Sequence, residues 1–295
     1  MRIFEAIRLS SNVLSLTAVV NPRIDSEILL AETLGKNLSF LFAHHQDSIN
    51  ESVLSTFFLK VKERCRGKPL QYITGQQEFY GLDFEVTPDV LIPRPETELI
   101  VEETLKQVSE KPLTLVDVGT GSGCLAVTLA KNLAQGKIWA IDLSDSALHV
   151  AKRNARQHHV EEQIHFLHGN LLHPLHSHTK RNSIDIIVCN PPYIRLGDLA
   201  LLQSEVKDWE PYLALVGDVA EFNIYGRLAS QSLLWLKPEG ILVMEIGEGM
   251  EKEVCRIFGA PWNLLKVLPD LNGIPRVVVV KKLVQIDNAK PTGSV

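Results

Sequence analysis

An asparagine, two prolines and a tyrosine, Asn190-Pro191-Pro192-Tyr193, stand directly after the apolar run Ile184 to Cys189. Proline has no backbone N–H, so two in succession make a stiff turn that offers carbonyl oxygens and few donors. The Asn190 side-chain oxygen and the Pro191 carbonyl can accept both hydrogens of one planar NH2 group. An amide nitrogen is a poor nucleophile because its lone pair is delocalised. Holding it in line with an electrophile supplies proximity and orientation in place of proton abstraction, and no histidine base is required. Tyr193 would stack on the flat face of the amide or base and exclude water. The bland reading of the same four residues is a rigid turn after a strand.

A second constellation supplies the electrophile. In Asp117-Val118-Gly119-Thr120-Gly121-Ser122-Gly123 the glycines fall where an apolar strand passes into a helix, so the backbone can turn sharply and lie close to a ligand. Asp142 closes the next strand 21 residues after Gly121, where a carboxylate accepts from both hydroxyls of a ribose. The glycines alternate instead of following G-x-G-x-x-G, which weakens a nicotinamide reading, and no lysine follows the turn as a P-loop requires. In a doubly wound sheet the first and fourth strands are neighbours where the strand order reverses, so both turns face one crevice. A nucleoside site beside a nitrogen grip points to methyl transfer from S-adenosylmethionine, with S-adenosylhomocysteine as product. Hydride or phosphoryl transfer does not explain both.

The elements that must position these residues follow from periodicity. Residues 1–75 read as a helical domain. Asn21-Pro22 opens a helix that Gly35 ends, and Ser52 to Arg64 forms another. Residues 76–93 read as a β-hairpin linker, with Gly81 between Glu78-Phe79-Tyr80 and Asp83-Phe84-Glu85-Val86. Residues 94–284 alternate strand and helix: a helix from Arg94 to about Ser109, strand Leu113–Val118, helix Gly121–Leu133, strand Ile138–Asp142, helix Ser144–Gln157 and strand Ile164–Leu167. Strands Ile184–Cys189, Ile241–Ile246 and Arg276–Val280 follow. Such buried runs imply an α/β fold, Rossmann-like and doubly wound, with a mostly parallel sheet covered on both faces. Residues 285–295 read as a loose tail.

Composition narrows the field. The 295 residues are 45% hydrophobic and 22% charged, which suits a globular protein with a catalytic domain and a smaller companion. No apolar run reaches the roughly 18 residues of a membrane span, and Met1 to Ser10 lacks a secretory pattern, so a cytoplasmic monomer is expected. Cys65, Cys124, Cys189 and Cys255 are too scattered for a disulfide framework or thiolate metal site. Seven of the ten histidines fall between His158 and His178, read as a solvated loop, and no metal is expected. The formal charge of −5 is unlike a surface built to displace phosphate counterions, so no direct nucleic-acid binding is expected.

With these residues in view, the chain resembles the protein-(glutamine-N5) methyltransferases of peptide chain release factors, the HemK or PrmC family, over nearly its whole length. The markers are Pro22-Arg23-Ile24-Asp25 leading into Glu27-Ile28-Leu29-Leu30-Ala31, then Gly67-Lys68-Pro69-Leu70-Gln71-Tyr72-Ile73-Thr74-Gly75, Glu78-Phe79-Tyr80-Gly81 and Arg94-Pro95-Glu96-Thr97-Glu98, together with Asp117 to Gly123 and Asn190 to Tyr193. The Asn-Pro-Pro-Tyr set is shared with other nitrogen methyltransferases, whereas the first four markers are specific to the family. The resemblance implies an N-terminal domain that recognises substrate, a hairpin linker and a methyltransferase domain. It implies as substrate the glutamine of the release factor's Gly-Gly-Gln motif. Gly119 to Gly123 would hold the methionine part of the cofactor, Asp142 the ribose and Asn190 to Tyr193 the glutamine amide. Arg94 to Glu98 would lie near the cofactor or serve only as a helix start.

Two departures stand out. Gly169-Asn170 replaces the family's usual acid at the adenine amino group; the Asn170 oxygen still accepts, with less charge assistance. After Glu210-Pro211 the usual double glycine is absent, Gly217 being followed by Asp218 and Ala220. Two rivals remain: a methyltransferase for an exocyclic amino group of a DNA or RNA base, which would also have to grip a phosphate backbone, and a cofactor-binding module without catalysis, which the intact Asn190 turn disfavours.

Overall fold

The computed structural model describes residues 1–108, 111–133, 135–216 and 223–284. The chain divides into two compact units, one of Met1–Gln77, Val86–Pro88 and Ala200–Glu210, the other of Glu78–Glu85, Asp89–Leu199 and Pro211 onward. Among the described residues no helix is long and apolar enough to cross a membrane. The tail at 285–295 and the Asp218 and Ala220 departure lie outside the described residues.

The first unit is helical: α1 (Ile3–Leu14), α2 (Pro22–Leu34), α3 (Leu38–Ala43), α4 (Glu51–Cys65) and α5 (Leu70–Thr74). Proline at the first position opens α2, and Gly35 closes it in the left-handed region at φ 62°. The Asn50 side chain caps α4 by accepting from the Val53 N–H at 2.8 Å. Leu14, Leu29, Leu30 and Phe57 fill the core. Arg64 is buried beside it and donates through Nε to Asp25 at 2.6 Å, through Nη1 to the Lys68 carbonyl at 3.0 Å and through Nη2 to Glu205 at 2.8 Å. Two carboxylates and a carbonyl thereby meet the donors of a cation that would be costly to bury alone.

The strands β1 (Gln76–Phe79), of which Glu78 and Phe79 belong to the second unit, and β2 (Leu82–Glu85) form a two-stranded sheet. Tyr80 and Gly81 turn between them with φ 54° and 75°, the doubly left-handed connection that suits the twist of a tight hairpin. Phe79 and Phe84 carry the hairpin into the core of this unit. The main sheet holds β3 (Leu113–Val118), β4 (Gly136–Asp142), β5 (Ile164–His168), β6 (Ile184–Cys189), β7 (Leu236–Glu245), β8 (Trp262–Pro269) and β9 (Pro275–Lys282). Its order is β5-β4-β3-β6-β7-β9-β8; β5 to β7 run parallel, while β9 pairs antiparallel with both β7 and β8. This is the mostly parallel, doubly wound arrangement the periodicity predicts. Alternation along the strands sends Leu115, Ile186 and Val243 to one face and Val116, Ile187 and Leu242 to the other, and each face is covered by its own apolar cluster.

Several expected elements shift. The segment from Arg94 begins as a 3-10 turn, Pro95–Thr97, before α6 (Glu98–Lys106). The next helix, α7 (Cys124–Asn132), starts later than Gly121 because Gly121 and Gly123 adopt φ 55° and 83°, outside the helical region. The helix α8 (Asp145–Gln157) starts at its Ser144 cap, whose hydroxyl accepts from the Ala147 N–H at 3.2 Å.

The histidines are mostly exposed, as expected of a solvated stretch, but they do not share one loop. His158 ends α8, His165 and His168 lie on β5, and His173 and His176 lie in a 3-10 turn. The rings of His165 and His178 approach Trp139 at 4.9 and 5.7 Å, and His176 approaches Trp235 at 4.9 Å. These tilted and edge-on contacts with indole rings, and the pairing of β5 with β4, are not revealed by polar composition alone.

Candidate active site

A cavity of about 380 Å³ opens at the carboxyl ends of β3, β4 and β6. It brings together Gly119, Thr120, Gly121, Ser122, Asp142, Asn170, Asn190, Pro191 and Pro192, with Arg94 and Thr97 from the segment ahead of α6. Because β3 pairs directly with β6, Val118 opposite Cys189, the glycine turn and the Asn-Pro-Pro turn leave the sheet at one level. Gly123 and Tyr193 do not line the cavity. Gly123 backs onto α8, where an added Cβ would stand 3.1 Å from the Ala151 Cβ. The Tyr193 ring lies against Gly247, whose own Cβ would meet it at 3.0 Å.

The glycine turn is held from below. Asp117 is fully buried; its Oδ2 accepts from the Thr120 hydroxyl at 2.6 Å and the Ala126 N–H at 3.2 Å, which ties the turn to the start of α7. Burial pushes the Asp117 carboxyl up to about 7, against the pull of those two donors. The N–H groups of Gly119 and Thr120 both reach the Ile141 carbonyl, at 2.8 and 3.0 Å. Gly121 donates to Asp142 Oδ2 at 2.8 Å, and Ser144 donates to Asp142 Oδ1 at 2.9 Å. Asp142 is therefore aimed by its own backbone neighbours, each oxygen keeping a lone pair for a further donor. Burial raises its pKa, and the N–H groups of Ser144, Gly121 and Leu143 offset part of the rise.

The other turn is held by side chains. Asn190 Nδ2 donates to Thr97 Oγ1 at 3.0 Å, and Thr97 Oγ1 donates to Glu245 Oε2 at 2.6 Å. The Tyr193 hydroxyl donates to the other Glu245 oxygen at 3.2 Å. Among the described residues no hydrogen bond reaches Asn190 Oδ1 or the Pro191 carbonyl oxygen. Burial pushes Glu245 up to about 7; Glu96 adds to the rise, while Thr97, Tyr193 and Arg276 oppose it. Tyr193 is itself raised by burial and by Glu245 beside it, so its hydroxyl stays protonated and donates. Asn170 is exposed, and its oxygen already accepts from Arg227 Nη2 at 2.9 Å, which leaves a second lone pair.

Thr97 and Glu245 are functional candidates that motif reading passes over. Thr97 lies inside the Arg94–Glu98 segment, in which Glu98 also accepts from the Tyr80 N–H at 2.8 Å. The signal for Glu245 was an acid inside the apolar run Ile241–Ile246, since a carboxylate seldom enters a buried strand without a partner.

The chain is similar to known proteins over both of its parts. Residues 5–75 match the family described as PrmC N-terminal domain, and residues 109–255 match one described as Methyltransferase domain. A release factor glutamine methyltransferase of Koribacter versatilis (strain Ellin345) is 41% identical over 89% of this chain and 92% of its own length. That of Geobacter sulfurreducens is 39% identical over 88% of this chain and 89% of its own. In the solved structures, the hMettl16 catalytic domain in complex with MAT2A 3'UTR hairpin 6 superposes at TM-score 0.54 with 18% identity, over 78% of this chain and 81% of that one. A methyltransferase from Pyrococcus furiosus gives 0.50 and 16%, over 70% and 91%. At these identities the two structures show a shared fold.

Proposed function

The chain belongs to the release factor glutamine methyltransferase family, and on that premise we propose that it methylates the side-chain amide nitrogen of the glutamine in the Gly-Gly-Gln motif of peptide chain release factors, using S-adenosylmethionine, in the cytoplasm. One observation carries this reading. The Asn190 side-chain oxygen and the Pro191 carbonyl are acceptors with no partner among the described residues, and they stand in the same cavity as the glycine turn and Asp142.

The residues fit the cofactor. At Gly121 nothing lies within 4 Å of the place a Cβ would take, so the methionine part can lie against the backbone from Gly119 to Ser122, while Gly123 serves the packing of α8. The lone pairs left on Asp142 suit the two ribose hydroxyls, and Asn170, between Gly169 and Leu171 in the cavity wall, is assigned to the adenine edge. When bound, the cofactor supplies an electrophilic methyl group on a sulfonium.

The protein's own part is placement. Asn190 Oδ1 and the Pro191 carbonyl take both hydrogens of the substrate NH2, which fixes the nitrogen and turns its face toward the methyl. Tyr193, expected to stack on the amide, instead lies outside the cavity wall and, anchored on Glu245, braces the turn from behind. With the cofactor bound, Asn190 and Pro191 would hold the nitrogen in line with the methyl, and the proton the nitrogen gives up would pass to solvent. Residues 1–75 are assigned to recognition of the release factor.

The test is transfer of labelled methyl to a purified release factor, to its Gly-Gly-Gln variant with Gln→Ala, and to nucleic acid. Label on the unaltered factor alone supports the reading. Label on nucleic acid alone would replace it with base methylation, and label on none would leave a binding module.

A further inference from the structure

The direction of the hydrogen bonds behind Asn190 has a consequence for what the site accepts. An asparagine amide is nearly symmetric in shape, so packing alone does not decide whether its oxygen or its NH2 faces a ligand. Here chemistry decides. Ionised Glu245 only accepts, so the single Thr97 proton goes to it at 2.6 Å, and the Thr97 oxygen must then accept from the Asn190 NH2 at 3.0 Å. The Asn190 oxygen is thereby turned the other way. Glu245 and Thr97 are each 2% exposed, so water does not compete for these bonds. The sheet sets the reach: Met244 pairs with Cys189, which puts Glu245 and Asn190 one step beyond the same rung.

We infer that Glu245 and Thr97 are positioning residues that lock the Asn190 amide with its oxygen toward the substrate, so that the site accepts a carboxamide and refuses the matching carboxylate. The inference rests on the reading of the substrate as a glutamine amide. With the amide locked, a carboxamide NH2 meets two acceptors, whereas a carboxylate would meet two oxygens and no donor. Leaving such groups unpaired is how a hydrogen-bonding site rejects a close analogue. With the amide free to turn, NH2 would face NH2 and the preference would shrink.

The lock also senses pH. The groups around Glu245 are Glu96, Arg276, Tyr193 and Tyr225, with the thiols of Cys124 and Cys189. Burial raises both tyrosines and both thiols, so they stay neutral, and Glu245 is the group that changes charge. Because its pKa is raised to about 7, it is protonated below that pH. A protonated Glu245 can donate to Thr97, whose own proton is then free to turn to Asn190, and the lock loosens as pH falls.

The experiment is NMR on the full chain with 15N-labelled asparagine, the Asn190 side-chain NH2 being identified by its loss in Asn190→Ala. Across about pH 5 to 9 this resonance should titrate with a midpoint near 7, the value burial gives Glu245. Thr97→Val should abolish the titration and lower kcat on the release factor by about 10- to 100-fold, as when the partner that orients a liganding side chain is lost. Its cofactor Kd should stay within about 3-fold, and Thr97→Ser should restore both readouts. The preference for binding the Gln form of the factor over its Gln→Glu form should fall about 10-fold. Should Thr97→Val not fold, Glu245→Gln must remove the titration. An Asn190 resonance that titrates identically in Thr97→Val, or in Glu245→Gln, overturns the inference whatever the enzyme methylates. A wild type that shows the coupled titration yet leaves release factors unlabelled sinks the substrate reading and leaves the lock standing.

Discussion

The two turns that meet at the cavity are built by opposite omissions. From Gly119 to Gly123 the chain omits side chains, and the N–H groups of Gly119, Thr120 and Gly121 are already spent on the Ile141 carbonyl and Asp142. That turn contributes room and a rigid floor. From Asn190 to Pro192 the chain omits N–H groups instead, and the side-chain oxygen of Asn190 and the carbonyl of Pro191 have no partner among the described residues. The first turn can receive a bulky ligand of almost any polarity, with discrimination delegated to Asp142. The second discriminates through its own acceptors, held in place by Thr97 and Glu245, because only a group that brings two donors satisfies it. Rigid backbone supports a tight site in both, through glycine conformations at one and proline rings at the other.

Substitutions can break this contrast or sharpen it. The largest effect is expected from Asn190→Ala, which removes one acceptor. Steady-state kinetics should show kcat lower by about 100- to 1,000-fold, with cofactor Kd changed far less. Equal losses in both would erase the distinction between the turns. Next comes Asp142→Ala, which should weaken cofactor binding by about 1.5–3 kcal/mol, as for hydrogen bonds to a charged group. A cofactor titration that does not move would take Asp142 away from the ribose. Smallest is Gly123→Ala, which forces a Cβ onto a residue at φ 83° and to 3.1 Å from the Ala151 Cβ. Its denaturant midpoint should fall by an amount worth about 1–3 kcal/mol. An unshifted midpoint would show that the glycine serves only chain flexibility.

Much of this was legible in the linear chain because both turns are local. Alternating glycines after an apolar strand, and two prolines after another, express their chemistry within five residues. The bolts that hold them are not local. Thr97 lies 93 positions from Asn190 and 148 from Glu245, and nothing in one sequence pairs them. Edge strand β8 escaped notice because Asn263, Leu264 and Lys266 are exposed or half-buried, so no clean alternation marks it. The histidines were placed in one loop for a related reason: His165 and His176 meet Trp139 and Trp235, rings that are remote in sequence.

Arg64 has a meaning for the time order in which the protein is made. Its partner Asp25 emerges from the ribosome before it, but Glu205 follows 141 residues later. A nascent chain that stops at Gln77 carries every helix from α1 to α5 and still holds a guanidinium with half of its carboxylate set missing. The N-terminal unit therefore reaches its final form only once the acceptor turn at Asn190 has been synthesised. A truncation meant to isolate the helices would deliver a fragment in which the buried Arg64 keeps Asp25 but loses the acceptor for its Nη2.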